Sequence, residues 1–137
     1  MQITRQADYA IRAVRYLAKA QQGPKPRVAT RDVAEKMKIP PSFLAKIISQ
    51  LSIAGLLHTS RGARGGVTLA REPQDISILD VVEAIDGPIL LNECVGTNKP
   101  CDFEGECLVH PIWMEVQESL VKRLRETRFD VLYNKVT

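Results

Sequence analysis

Apolar and polar positions near the start of the chain alternate with the period of a helix. One apolar face is formed by Ala7, Ala10, Ile11, Val14, Leu17 and Ala18. Side chains at these spacings fall on one side of a helix, and the charged residues between them fall on the other. Thr4 is a suitable N-cap, and Gly23 followed by Pro24 is a typical helix end. The pattern therefore predicts an amphipathic first helix between Thr4 and Gly23.

A shorter and a longer apolar stripe follow, separated by a break that contains two prolines. The shorter helix has a predicted buried face of Val33, Ala34 and Met37. The apolar stripe of the longer helix is formed by Phe43, Leu44, Ile47, Ile48 and Leu51. Thr30 is the predicted N-cap of the shorter helix. Pro41 fits the first position of the longer helix, because its missing N–H would have no partner there. Gly55 ends that helix. Two helices joined by a tight break predict a helix-turn-helix, whose second helix lies in the major groove of DNA.

Two short segments suited to strands come next, Leu57–Ser60 and Val67–Ala70. The glycines Gly62, Gly65 and Gly66 lie between them and favour a turn. A two-stranded hairpin after a helix-turn-helix predicts a winged helix. Arg61 and Arg64 fall at the tip of this wing, where an arginine can enter the electronegative minor groove. The alternative for Arg61 is an ordinary solvated charge on a hairpin.

The second half of the chain contains two more helical patterns around a polar loop. Ser77 caps the first helix, whose predicted inward residues are Ile78, Val81, Val82 and Ile85. The second helix is long and begins at Pro111, and its apolar stripe includes Ile112, Val116, Leu120 and Leu124. This stripe lies outside the winged-helix core, so we expect a second copy of the chain to cover it. Such a homodimer reads a palindromic site made of two half-sites.

Charge is unevenly divided along the chain. Residues 1–72 carry 13 Lys/Arg and 4 Asp/Glu, whereas residues 73–137 carry 6 and 12. A basic first half favours double-stranded DNA as a partner, although solvated surface charge gives the same composition. We therefore expect a winged-helix DNA-binding domain over residues 1–72. Residues 73–137 then form a second region that contains the polar loop and the long helix.

The sequence also predicts where the protein resides. No apolar run approaches the roughly 20 residues that a membrane span needs. The first ten residues lack the apolar core of a secretory signal. The three cysteines are an odd number, and the cytosol is reducing, so a disulfide framework is disfavoured. We expect a cytoplasmic protein.

All three cysteines and one of the two histidines lie in the polar loop. Cys94, Cys101, Cys107 and His110 have the spacing C-x6-C-x5-C-x2-H. Four interpretations compete: packing cysteines, a structural zinc site, an iron–sulfur cluster, and thiol catalysis or redox sensing. The polar neighbours argue against packing, and the acidic ones disfavour a free reactive thiolate. Spacing alone leaves zinc and an iron–sulfur cluster open.

Several stretches of the chain together resemble a known family. In order they are TRQADYAIRAVRYLA, ATRDVAEKMKIPPSFLAKIISQLSIAGLL, RGARGGVTLA and the three-cysteine loop. They resemble the iron–sulfur transcriptional regulators that include IscR and NsrR, and the resemblance extends to about residue 133. The wing followed by the cysteine loop is its most specific part. The resemblance implies a mainly α fold, namely a winged helix-turn-helix with a two-stranded wing and a long C-terminal dimerisation helix.

The resemblance also implies a cofactor and its ligands. Cys94, Cys101 and Cys107 correspond to the cysteines that hold a 2Fe–2S or 4Fe–4S cluster, which senses iron–sulfur status, nitric oxide or redox stress. The fourth ligand stays open. His110 follows the IscR-like pattern, and Asp8 of the partner subunit follows the NsrR-like pattern. The alternatives are a helix-capping role for His110 and a favourable first-turn charge for Asp8. The first gap between cysteines is one residue longer than is usual in the family.

Six residues form the predicted DNA-binding set: Arg31, Ser42, Phe43, Lys46, Arg61 and Arg64. The resemblance implies that Arg61 enters the minor groove, and that the recognition-helix residues contact bases and phosphates. We therefore expect a transcriptional regulator rather than an enzyme, with promoter binding controlled by the cluster. The alternative is a winged-helix regulator in which the same loop holds a structural zinc ion or acts directly as a thiol redox sensor.

Overall fold

Six helices and one two-stranded sheet form the part of the chain that the structure, a computed structural model, describes: residues 2–63, 65–95 and 106–132. In order these are α1 (Arg5–Gln21), α2 (Thr30–Met37), α3 (Pro41–Ile53), β1 (Leu57–Ser60), β2 (Gly66–Leu69), α4 (Ile78–Asp86), α5 (His110–Glu126) and α6 (Phe129–Leu132). Two short 3-10 turns, Pro73–Asp75 and Glu93–Val95, flank α4. The predicted mainly α class with a two-stranded wing is confirmed. Among these helices, none combines the length and the hydropathy that a membrane span requires.

Helix α1 is the central support of the fold. Its buried residues are Ala7, Ala10, Ala13, Val14, Leu17 and Ala18, and the small alanines let neighbouring helices approach closely. Thr4 is its N-cap, as predicted, and the Thr4 Oγ1 accepts a hydrogen bond of 3.1 Å from the N–H of Ala7. Such a cap typically contributes about 1 kcal/mol. Because α1 contacts α2, α3, α4 and α6, it connects the helix-turn-helix to the helix that leads into the cysteine loop.

The helix-turn-helix is formed by α2 and α3. The N-cap of α2 is Ala29, so the prediction of Thr30 as the cap is wrong. The reason lies in the sheet: Val28 forms a two-way backbone bridge with Val67, with N···O distances of 3.1 and 2.8 Å. This bridge fixes the chain just before the helix, which begins immediately afterwards. Pro41 occupies the first position of α3, as predicted.

The wing is an antiparallel hairpin in which Leu57 pairs with Leu69 and Ser60 with Gly66. Its second strand begins at Gly66, one residue earlier than predicted. A Cβ atom at Gly66 would lie 2.6 Å from the carbonyl oxygen of Val28, and only glycine fits so close an approach. The bridge to Val28 thus requires a glycine here and attaches the wing to the start of α2.

Helices α4 and α5 precede and follow the cysteine loop in the sequence. Ser77 caps α4, as predicted, in a capping box with Asp80. A second apolar cluster joins Leu79, Val82 and Ile89 to Leu120, Val121 and Leu124 of α5. Ile112 and Val116, in the first half of α5, are 54% and 45% exposed. The predicted apolar stripe therefore divides into a packed C-terminal half and an exposed N-terminal half.

The chain returns to the core after α5. Phe129, the first residue of α6, is fully buried, and its N–H donates to the carbonyl oxygen of Ile76 over 3.1 Å. Ile78 N–H donates in turn to the Thr127 carbonyl over 3.0 Å. These two bonds hold the end of α5 beside the start of α4, so the long helix is fixed to the core at its C-terminal end.

Candidate nucleic-acid interface and cysteine site

Helix α3 presents a polar face to solvent. Ser42 and Lys46 are exposed, and Phe43 is 40% exposed. Ser49 lies on the same face, one turn beyond Lys46, and is also exposed. The opposite face carries the buried residues Leu44, Ile47, Ile48 and Leu51. This arrangement leaves the N-terminal part of α3 available for contacts in a major groove.

The wing and the start of α2 lie next to each other. Arg31 lines a small surface depression together with Thr30, Ser60 and the wing glycines Gly62, Gly65 and Gly66. Arg61 is exposed beside this depression. Arg64, also predicted to bind DNA, lies outside the described residues. The fold thus brings Arg31 and the wing, which are some thirty positions apart in sequence, onto one surface.

Asp8 is joined to Phe43 on α3 by a chain of side-chain contacts. Its Oδ2 accepts a hydrogen bond of 2.8 Å from Arg12 Nη2. The Arg12 guanidinium lies 5.2 Å from the centre of the Tyr9 ring, within the range of a cation–π contact. The Tyr9 ring in turn lies 6.0 Å from the ring of Phe43.

Arg12 also reaches the break in the helix-turn-helix. Its Nη1 donates to the carbonyl oxygen of Met37, the last residue of α2, over 3.4 Å. Asp8 and Arg12 are both largely solvent-exposed, with side-chain accessibilities of 55% and 44%. A pair in such a position contributes at most about 1 kcal/mol. Asp8 or Arg12 can therefore exchange this contact for one with another partner at little cost in stability.

The cysteine site is described only at its two ends. Cys94 is half-buried in the 3-10 turn after α4, and Cys107 is exposed just before α5. Both are free thiols. His110 is the first residue of α5 and is half-buried. Cys101 lies outside the described residues. Among those that are described, no three metal-binding side chains converge on one point.

The comparison with protein families decides the family of this chain. Residues 3–135 match the Rrf2 family, described as iron-dependent transcriptional regulators. This chain belongs to the Rrf2 family. The transcriptional repressor NsrR of Streptomyces coelicolor (strain ATCC BAA-471 / A3(2) / M145) is 32% identical to it over 124 residues, 90% of this chain and 82% of NsrR.

Two solved structures of transcriptional regulators resemble this Rrf2-family chain along nearly all of its length. CymR, the global cysteine regulator of B. subtilis, has a TM-score of 0.78 and 25% identity and covers 100% of this chain and 99% of CymR. T. potens IscR has a TM-score of 0.74 and 26% identity and covers 96% and 85%. These matches confirm the predicted fold and the predicted resemblance to IscR and NsrR. The protein is therefore a transcriptional regulator of the Rrf2 family.

Sequence reasoning missed three features of this Rrf2-family surface. Ser49 could have been predicted from the sequence, because it lies seven residues after Ser42 and so shares its helix face. The contact between Tyr9 and Phe43 could not have been predicted, since the two residues belong to different helices. The same holds for Asp86, whose carboxylate accepts hydrogen bonds from the Thr4 N–H and hydroxyl over 3.3 and 2.6 Å.

Proposed function

We propose that this Rrf2-family protein is a homodimer whose binding to palindromic promoter DNA is controlled by an iron–sulfur cluster. Cys94, Cys101 and Cys107 hold the cluster, with His110 or Asp8 of the partner subunit as the fourth ligand. The observation that carries the proposal is the presence of two free, accessible thiols at the two ends of one loop. The description of the family as iron-dependent regulators supports iron over zinc.

The side chains at the cysteine site suit such a cluster. Thiolates are the usual ligands of iron–sulfur clusters, and histidine replaces cysteine in some of them. Neither Cys94 nor Cys107 belongs to the apolar core, so both sulfur atoms are available as ligands. When bound, the cluster supplies a centre that responds to iron–sulfur status, nitric oxide or redox stress, as in the regulators that this chain resembles.

DNA binding uses α3, the start of α2 and the wing. Ser42, Phe43 and Lys46 contact the major groove, and Arg61 and Arg64 reach the minor groove from the wing. Arg31 contacts the phosphate backbone beside the wing. Support comes from the exposure of the described members of this set and from the excess of basic residues in the first half of the chain.

Dimerisation covers the exposed half of α5. Ile112, Trp113, Met114 and Val116 are all more than a third exposed, although they lie together in the first two turns of one helix. Monomeric proteins rarely expose contiguous apolar patches of this kind. A second copy of the same helix is the partner we propose, because a two-fold axis also pairs the recognition helices with the half-sites of a palindrome.

The contacts of Asp8 offer a route from the cysteine site to DNA. If Asp8 of the partner subunit is a cluster ligand, its carboxylate binds the cluster as well as Arg12. Arg12 contacts both the Tyr9 ring and the Met37 carbonyl, and Tyr9 contacts Phe43 on α3. A change at Asp8 therefore alters the support of the recognition helix. Coupling free energies of about 1–3 kcal/mol are typical and change affinity roughly 5- to 150-fold.

The direct test is anaerobic purification followed by optical spectroscopy and by assays of iron and acid-labile sulfide. We expect coloured protein with iron and sulfide in matching amounts. DNA affinity, measured by fluorescence anisotropy on a palindromic site, should differ between the cluster-bound and cluster-free forms. Colourless protein that contains zinc and no sulfide would refute the proposal in favour of a structural zinc site.

The fourth ligand can be assigned with two single substitutions. We expect only one of His110→Ala and Asp8→Ala to lose the cluster, because a single position remains after three thiolates. Asp8→Ala should also weaken the link between α1 and α3 in cluster-free protein, since it releases Arg12. Visible absorption and native mass spectrometry of both variants measure cluster retention. Glu115→Ala, an exposed substitution in the first half of α5, is the control and should keep the cluster.

A thiol sensor is the second candidate function. The likeness to CymR, the global cysteine regulator of B. subtilis, and the exposure of Cys107 favour it. In that case an oxidant would change the DNA affinity of colourless, metal-free protein, and Cys107→Ser would abolish the response. An iron–sulfur regulator would instead respond only when the cluster is bound.

Arg61→Ala should weaken DNA binding by about tenfold, because the loss of one inserted arginine costs roughly 1–3 kcal/mol. The negative slope of log affinity against log salt concentration should also become shallower by about one, since one fewer cation is displaced. Anisotropy titrations at several salt concentrations measure both quantities. Arg125→Ala, on α5, removes the same charge from another surface and should leave affinity and slope nearly unchanged. Equal effects of the two substitutions would contradict a role for the wing.

A further inference from the structure

Gln117 of α5 binds the backbone of the segment that leads into the cysteine loop. Its Oε1 accepts a hydrogen bond of 2.9 Å from the N–H of Leu91. Its Nε2 donates to the carbonyl oxygen of Ile89. One side-chain amide thus pairs with the backbone on both sides of Leu90, as a neighbouring strand would. Both contacts are partly buried, which makes them harder for water to replace.

The position of Gln117 on α5 relates this contact to the metal-binding residues. Gln117 follows His110 by seven residues, which is two helical turns, so both lie on one face of α5. On the other side of the contact, Cys94 follows Leu91 by three residues. The 3-10 turn that contains Cys94 also contacts α5. The Gln117 amide therefore lies at the contact between the Cys94 segment and the face of α5 that carries His110.

We propose that Gln117 is a positioning residue that holds the Cys94 segment against the face of α5 that carries His110. Its side-chain amide fixes the backbone at residues 89–91, so that Cys94 takes a defined place relative to α5. The positioning is a property of the polypeptide alone. Its consequence for a bound cluster rests on the function proposed above.

The apolar packing of Ile89 should keep the fold intact when the Gln117 hydrogen bonds are lost. The Ile89 side chain is 6% exposed and belongs to the apolar cluster between α4 and α5. Loss of the Gln117 contacts leaves this packing in place, so we expect the fold to persist. The segment from Leu90 to Cys94 loses these two hydrogen bonds to α5, whereas Cys107, three residues before α5 begins, depends on neither of them.

The test compares the two described cysteines in reduced, metal-free, full-length protein. Gln117→Met keeps the length of the side chain but loses both hydrogen bonds. We expect iodoacetamide to modify Cys94 about tenfold faster in this variant, because a hydrogen bond of this kind shifts an opening equilibrium by up to about that factor. Cys107 should react at its wild-type rate. Peptide mass spectrometry measures each rate, and hydrogen exchange at the Leu91 amide should accelerate in parallel.

Glu118→Met is the matched control, because it changes the adjacent, exposed residue of the same helix. It should leave both cysteines at their wild-type rates. If far-UV circular dichroism shows that Gln117→Met has lost helix content, Gln117→Glu takes its place, since it keeps the side-chain shape but replaces the donor with a carboxylate oxygen that repels the Ile89 carbonyl. An unchanged Cys94 rate, or equal acceleration of Cys94 and Cys107, would overturn the proposal.

A second measurement separates this inference from the proposed function. After reconstitution with iron and sulfide, we expect Gln117→Met to lose its visible absorption several-fold faster than the wild type. If wild-type protein assembles no cluster at all, the proposed function fails, yet a selective change at Cys94 in metal-free protein would still support the positioning role. If the cluster assembles and Cys94 reactivity does not change, the positioning role alone fails.

Discussion

Cys107→Ser protein, purified anaerobically, is expected to contain at least about tenfold less iron and sulfide than the wild type and to lack its visible absorption, because cluster assembly depends on thiolate ligands. Cys107 is the informative choice because its side chain is exposed. Serine at an exposed position leaves the apolar packing unchanged, so loss of the cluster cannot be attributed to unfolding. The thermal midpoints of the metal-free variant and the metal-free wild type should agree within error.

The DNA affinity of Cys107→Ser should equal that of cluster-free wild type, whichever form of the protein binds DNA more tightly. Glu106→Gln changes the neighbouring exposed residue and should retain the cluster. A Cys107→Ser protein that keeps full colour would exclude this thiol as a ligand. Another residue would then have to complete the cluster, since the structural zinc and thiol-sensor alternatives both give colourless protein.

The double substitution Ile112→Lys with Val116→Lys should convert the protein to a monomer. Both side chains are about half exposed in the single chain and lie one turn apart on α5. Lysines at a two-fold axis place like charges together and remove the apolar area. Affinity for a full palindromic site should fall by about 100-fold, because the second half-site is no longer delivered by a linked partner. Light scattering measures the mass, and anisotropy measures the affinity.

Affinity for an isolated half-site should change little, which distinguishes loss of the dimer from damage to the winged helix. Val131→Lys supplies the control, because Val131 is also an exposed apolar residue, 49% accessible, but lies on α6. It should remain dimeric. If the double variant stays dimeric with normal helix content, the exposed half of α5 is not the interface.

Much of the fold follows from local sequence signals. Thr4 and Ser77 both act as the helix caps that their positions predict, because capping depends on only a few neighbouring residues. Thr30 is not the cap, because a contact between segments distant in sequence overrides the local signal. The bridge between Val28 and Val67 is a contact between distant segments, and it decides where α2 begins.

The candidate site is predictable in its residue types but not in its contacts. The spacing of the cysteines and of the α3 residues can be read from the chain. The contact of Arg12 with Asp8 is also within reach, since the two lie four residues apart on one helix. The contact of Gln117 with Ile89 and Leu91 is not, because nothing in the residues near 117 indicates which backbone segment will lie beside them. The division at residue 72, the DNA-contacting set and the ligand set stay predictions.

Local patterns in the chain predict helices α1 to α5, the helix-turn-helix break, the glycine-rich wing, the basic first half and the clustering of the three cysteines. Each depends on periodicity, composition or short-range spacing. The packing of the whole chain was needed to show that α1 joins Asp8 to Phe43 through Arg12 and Tyr9, and that half of α5 stays exposed. These features arise because helices distant in sequence pack against one another, and the partners that packing selects are not encoded in any local pattern.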